Sequence, residues 1–291
     1  MALPKFSMKQ LLEAGVHFGH HTRRFEPLMT PYVYGVKDSI RIINLNKTAP
    51  LLHRALAELE AVAAAGGKIM FIATKHQAKE IVKEAAERCG QFYVNNRWLG
   101  GMMTNWGTIS QSIRRMKNME KQIEDGGVVL GLTKKEVLNM TKEVAKLRDT
   151  FGGILDMHGT PQAVIIIDVP QEYNAVKEAS VLGIPTIAVC DTNANPSLIG
   201  FPVPGNDDSA RAIRLYCDLF ADAILSGIEK RLGSAEVKKS KGDASVAVET
   251  DKIEDKAIEK ELKEKSKTSE ARQVRREKLA EKIAEKSEQG E

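Results

Sequence analysis

The sequence predicts an α/β protein: a parallel sheet with helices on both faces, an inserted helical hairpin and a charged carboxy-terminal tail. Three observations predict it. The apolar runs Ile69–Ile72, Phe92–Val94, Val164–Ile167 and Ile187–Val189 are continuous, the composition of strands buried on both faces. Helical segments alternate with them, and strand–helix–strand alternation makes a parallel sheet with right-handed crossovers. Residues 107–151 break the rhythm: they hold no strand pattern and carry two apolar stripes at helical spacing.

The elements follow in order. Ser7 caps a short helix through Glu13, which Gly15 ends. Residues 32–36 and 40–43 have strand composition around the turn Lys37-Asp38-Ser39 and predict a β-hairpin. Asn46 caps a long amphipathic helix bearing Leu51, Leu52, Leu56, Leu59 and Val62, stopped by Gly66-Gly67. Further helices are expected over 76–89, 172–182 and 208–230, and Phe201-Pro202-Val203 adds a short fifth strand.

In the interruption, Ile109, Ile113, Met116 and Ile123 share one stripe. Val137, Met140, Val144, Leu147 and Phe151 step by three and four, the heptad seam of a two-helix coiled coil. Asp125-Gly126-Gly127 and the residues to Thr133 supply the turn. Thr133 caps the return helix, with Glu136 at the capping-box position. The chain thus divides into an α/β domain made of 1–106 and 152–232, a hairpin at 107–151 and a tail at 233–291. The tail lacks aromatic residues, proline and cysteine and carries fifteen basic and fifteen acidic side chains. It cannot bury enough apolar area to offset its ordering entropy and reads as disordered or transiently helical.

Since the tail is neutral, the whole formal charge of +4 lies ahead of it. That dilute basicity suits a protein that touches RNA by patches, and it also suits many metabolic enzymes. Cys89, Cys190 and Cys217 are odd in number, far apart and outside any CxxC, which predicts reduced thiols in a reducing compartment. No run approaches the ~20 apolar residues of a membrane span, and the first residues lack a signal core. A soluble, cytoplasmic protein is expected.

Candidate sites are few. The run Asn96–Trp106 holds both tryptophans of the chain, with Gly100-Gly101 between them and Arg97, Asn96 and Asn105 beside them. Trp98 and Trp106 either pack on the sheet edge or offer rings to a splayed base. Arg97 and Asn105 are placed for phosphate or another polar partner. A second cluster runs from His17 through His20, His21, Arg23 and Arg24. Its histidines invite zinc, but no Cys or carboxylate sits at suitable local spacing, so a polar loop facing a phosphate backbone is preferred and no metal is expected. Arg114, Arg115 and Lys117 on the outgoing arm, with Lys134, Lys135 and Lys142 on the return, are either a solvated face or a surface laid along RNA. Lys75-His76 follows a strand where such sheets bind anions, yet GxGxxG and the Walker loop are absent. Asp168, Glu172 and Asp191 near strand ends read mainly as caps and turns.

Four segments carry a specific resemblance: LLEAGVHFGH at 11–20; NRWLGG at 96–101 with Asn105-Trp106; PQAVIIID at 161–168, continuing to Glu172, Glu178 and Gly183-Ile184-Pro185; and Asp191-Thr192-Asn193 with Asn195-Pro196. The chain resembles the S-two family of bacterial small-subunit ribosomal proteins over residues 5 to about 230. It departs from the family pattern at Ala194, where Asp is usual, and at Asp168-Val169-Pro170, where Asp-Pro is usual. The resemblance implies a flavodoxin-like sheet and a structural, rRNA-binding role at the head–body junction of the small subunit. Neighbouring ribosomal proteins would be partners, among them the large mRNA-binding protein of that subunit. No catalysis, cofactor, membrane or small-molecule substrate is implied. The rival reading is an enzyme on a doubly wound sheet using Lys75, Asp168 and Asp191.

Overall fold

The computed structural model of this chain describes residues 3–125 and 133–241. The expected turn at 126–132 and the tail past 241 lie outside these. By compactness the chain divides into Met1–Gly233 and Ser234–Glu291.

Helix α1 (Met8–Glu13) opens with a reciprocal cap: the Ser7 hydroxyl accepts from the Gln10 N–H, and the Gln10 side chain accepts from the Ser7 N–H. Strands β1 (Phe18–His21), β2 (Val33–Lys37) and β3 (Ile40–Ile43) then form an antiparallel sheet in the order β1-β3-β2. The β2–β3 hairpin matches the sequence reading. Asp38 and Ser39 turn it with φ of 52° and 62°, the left-handed pair of a tight hairpin turn. Strand β1 corrects that reading, which gave residues 17–24 to a loop. Phe-Gly-His-His has no strand composition. Gly19 is there because a Cβ would lie 2.5 Å from the Thr192 side chain, so tertiary contact makes this strand.

Helix α2 (Leu45–Ala64) is capped by Asn44, whose Oδ1 accepts from the Asn46 N–H at 3.1 Å. The cap read at Asn46 is therefore inside the first turn. Strands β4 (Ile69–Ile72), β5 (Phe92–Val94), β6 (Ala163–Ile167), β7 (Thr186–Cys190) and β8 (Phe201–Pro204) are parallel, in the order β5-β4-β6-β7-β8. That is the flavodoxin-like order. Their side chains alternate between two layers. Phe71, Ile165, Ile167 and Val189 pack with Leu52, Leu56 and Leu59 of α2, Val82 of α3 (Lys79–Arg88) and Ile213, Phe220 and Ile224 of α7 (Ala210–Lys241). Met70, Ile72, Val164 and Ile166 pack with Val176 of α6 (Tyr173–Val181) and with Met102 and Met103. Each such side chain, fully removed from water, contributes about 1.5–3 kcal/mol.

Helices α4 (Trp106–Glu124) and α5 (Lys134–Phe151) fill the stretch without strands. Thr133 and Glu136 make the expected capping box. The feet of the helices, Ile109, Ile113 and Phe151, belong to the second layer under the sheet. Higher up, Met116, Met119 and Val144 form a separate small cluster. Helix α7 runs on to Lys241. A glycine inside a helix costs only about 1 kcal/mol, and no proline follows to break it. No described helix is long and apolar enough to cross a membrane. The three cysteines are buried free thiols.

Candidate nucleic-acid interface

The loop from Asn95 to Asn105 leaves β5 at the edge of the sheet. A single carboxylate shapes it. Glu178 on α6 accepts from the Trp98 indole Nε1 at 3.0 Å and from the backbone N–H of Gly101 at 2.8 Å, Met103 at 3.0 Å and Thr104 at 3.1 Å. The Thr104 hydroxyl adds a fifth bond at 3.2 Å. Burial works against the Glu178 charge, but these donors outweigh it and hold the carboxyl below its ordinary range. Gly101 bends the loop back at φ 83°. The two tryptophans therefore differ. Trp98 spends its N–H on the fold. Trp106 is half-buried against the second layer, and its Nε1 has no hydrogen bond to a described residue.

On the outer side of the loop, Arg97 is exposed and its guanidinium has no described partner. Asn96 is exposed and accepts from Lys79 Nζ at 3.1 Å. Asn105, at the start of α4, accepts from the Thr108 hydroxyl at 3.0 Å. On the helices, Arg114, Lys134 and Lys135 are exposed and make no hydrogen bond or ion pair with a described residue. Arg115 is paired with Glu143 at 2.7 Å. Lys117 is tied to Asp156 at 3.2 Å.

The amino-terminal cluster does not act as one loop. The His17 ring lies beside that of Phe18, centroids 4.0 Å apart and planes tilted by 39°. Arg23 and Arg24 are exposed after β1; the Arg23 side chain has no described partner, while the charge of Arg24 reaches Asp208. His20 turns inward. Its Nδ1 lies 2.9 Å from Asp191 Oδ2 and its Nε2 lies 3.4 Å from Asp208 Oδ2. The Asp191 contact, with Asp207 and Asp208 nearby, raises the imidazole above its usual value despite burial.

His20 thereby joins an acidic pocket at the carboxyl ends of β4, β6, β7 and β8, beside the switch point where the strand order reverses. Lys75 Nζ stands 3.2 Å from Asp168, 2.8 Å from Asp207 and 2.6 Å from Asp208. These carboxylates hold its ammonium charged against burial. Asp207 has no exposure and is pushed up to about 7, first by burial and then by Asp191 and Asp168. Glu172 is also buried and raised, while accepting from the Thr74 N–H at 2.7 Å. This corrects the reading of Lys75 as an anion site. Lys75 is enclosed by carboxylates, so its pocket repels anions. The histidine cluster lacks ligands nearby in sequence, but the fold brings carboxylates from afar: atoms of His20, Asp191, Asp207 and Asp208 lie within 4.8 Å of one another and could hold a divalent cation. Neither His17 nor His21 belongs to that set. Asp207-Asp208 also belong to the site, and their signal in the sequence is an acidic pair between a strand and a helix. The rival enzyme's Lys75, Asp168 and Asp191 do meet here.

The comparisons agree with one another. The sequence pattern of the family described as Ribosomal protein S2 matches residues 11–227. The chain is 53% identical over 237 residues to the small ribosomal subunit protein uS2 of Rhodospirillum centenum, covering 81% of this chain and 90% of that one. It is 51% identical over 249 residues to the uS2 protein of Paramagnetospirillum magneticum, with 86% and 91% covered. Against the uS2 protein of a Chelativorans species it is 54% identical over 237 residues, with 81% and 88% covered.

Proposed function

The chain belongs to the ribosomal protein S2 family, and from that premise we propose that it is a structural, RNA-binding component of the small ribosomal subunit. As a member of a family of ribosomal proteins it is not an enzyme. The observation that carries the RNA reading is the set of exposed cations, Arg23, Arg97, Arg114, Lys134 and Lys135, whose charges no described residue neutralises. A phosphate backbone supplies the missing anions and releases counterions as it binds. Asn96, Asn105, Trp98, Trp106, Arg24 and Arg115 flank these positions, and His17 and His20 precede Arg23 and Arg24 in the chain; His21 sets the turn that carries the two arginines, accepting from the Arg23 N–H on Nδ1 and from the Arg24 N–H on its carbonyl.

The α/β domain, made of 1–106 and 152–232, holds these contacts at fixed spacing. The hairpin at 107–151, acting as a coiled coil, extends their reach. Such a body suits the head–body junction of the subunit, where it binds rRNA and helps dock neighbouring proteins, including the large mRNA-binding protein. Selectivity comes from RNA shape and unpaired bases.

The test is association. The protein is expected to co-sediment with small subunits and to be released at high salt. Arg24→Ala with Arg97→Ala should lower incorporation and flatten the salt slope by about two, with the melting temperature unchanged. A large fall in melting temperature at undiminished RNA affinity rejects the assignment.

A further inference from the structure

A groove of about 400 Å³ lies where α4 meets the segment after α5. Its floor is Ile113 and Met157, both buried. One wall is the half-buried ring of Trp106, and its rim carries Arg114, His158 and Lys117. Lys117 is committed to Asp156 and to the Leu155 carbonyl, each at 3.2 Å. The Ser110 hydroxyl donates to the Gly107 carbonyl at 2.8 Å. The Trp106 indole N–H, the Arg114 guanidinium and the His158 imidazole make no hydrogen bond to a described residue.

An apolar slot beside an aromatic ring, ringed by donors that lack acceptors, fits a flat ligand with acceptors on its edge and negative charge at one end. A nucleotide has that chemistry: its face stacks on indole, its edge accepts from N–H donors, and its phosphate pairs with guanidinium. The volume admits one nucleotide and excludes a duplex. We propose that this groove binds a single unpaired nucleotide of an RNA strand, with the base against Trp106 and the phosphate on Arg114. The proposal rests on the RNA-binding reading above and gives it a specific seat.

The probe is an eight-nucleotide oligouridylate carrying 5-iodouridine, bound to the full chain, irradiated in the near ultraviolet and mapped by mass spectrometry. Cross-linking to Trp106 is expected. Arg114→Ala with His158→Ala, two exposed side chains without packing roles, should weaken binding of the unmodified oligomer about tenfold and remove the Trp106 cross-link at unchanged melting temperature. Trp106→Leu should weaken binding by about tenfold as well. Cross-links confined to other sites, with binding that survives the double substitution but fails in Arg24→Ala with Arg97→Ala, overturn the groove and leave the RNA reading standing. A chain that binds no RNA and does not co-sediment with small subunits overturns both. Cross-linking of Trp106 to a neighbouring protein in assembled subunits also overturns the groove as an RNA seat.

Discussion

At the carboxyl ends of the sheet, charged groups face one another; along the loop and the two long helices, they face outward with few partners. Lys75 touches three carboxylates within 3.2 Å, and His20 touches two within 3.4 Å. Arg97, Arg114, Lys134 and Lys135 touch none among the described residues. The contrast separates charge the fold consumes from charge it leaves for another molecule. Position alone would have pointed the other way, because the strand ends are where open α/β sheets bind ligands. Here that place holds a network tying the small sheet to the large one. The loop belongs to both regions: Glu178 spends one inward charge to hold a backbone that carries outward ones.

The largest effect expected from breaking this contrast is at Lys75. Lys75→Met leaves Asp168, Asp207 and Asp208 facing one another without their cation. A loss of about 3 kcal/mol is expected, the low end for a broken buried pair because Asp208 reaches water and Asp207 can take up a proton. Urea unfolding measures it, and the folded fraction should bind RNA as before. A loss under about 1 kcal/mol would make this pocket no different from a surface pair. Next comes Glu178→Ala, which strips the acceptor from three backbone N–H groups and the Trp98 indole. About 2–3 kcal/mol should be lost, together with RNA affinity, while Glu178→Gln recovers part of both. Unchanged RNA affinity in a destabilised Ala variant would detach the loop from binding.

The smallest effect is in pH. His20 and Asp207 are both held above their ordinary values. A raised histidine stabilises below its unfolded value and loses that contribution as pH climbs through its folded one. A raised, buried carboxyl likewise favours the folded chain while protonated and penalises it once ionised. The two signs agree, so stability should fall as pH rises through about 7. Between pH 6 and 8 the melting temperature should drop by about 2–4 °C, and Asp207→Asn should halve the slope. A rise over that interval would mean that His17, held below its ordinary value by burial, outweighs both groups.

Much of the architecture was legible in the sequence, because parallel strands buried on both faces must be continuous apolar runs and caps leave local signatures. Thr133 with Glu136 is such a signature, and Ser7 is another. Asn44 and Asn46 are equally good caps by type, and only the course of the chain leaving β3 decides between them. Strand β1 was illegible because its strand character comes from its pairing with β3 and from Gly19 against Thr192. The outward cations were legible, since an exposed arginine needs no partner in order to be noticed. The groups that organise the site were not. Glu178 meets Trp98 across 80 positions, and the carboxylates around His20 lie still farther along the chain. No local pattern encodes such meetings.

The anchoring of the small sheet has a temporal consequence. The His20 N–H donates to the Thr192 hydroxyl 172 positions later, and Asn206 donates to the Gly15 carbonyl across 191 positions. At ordinary rates of synthesis that separation is roughly 10–40 s. The segment translated first therefore emerges without its mooring and settles only when nearly the last strand has been made, so the nascent chain spends most of its elongation with its own beginning unmoored.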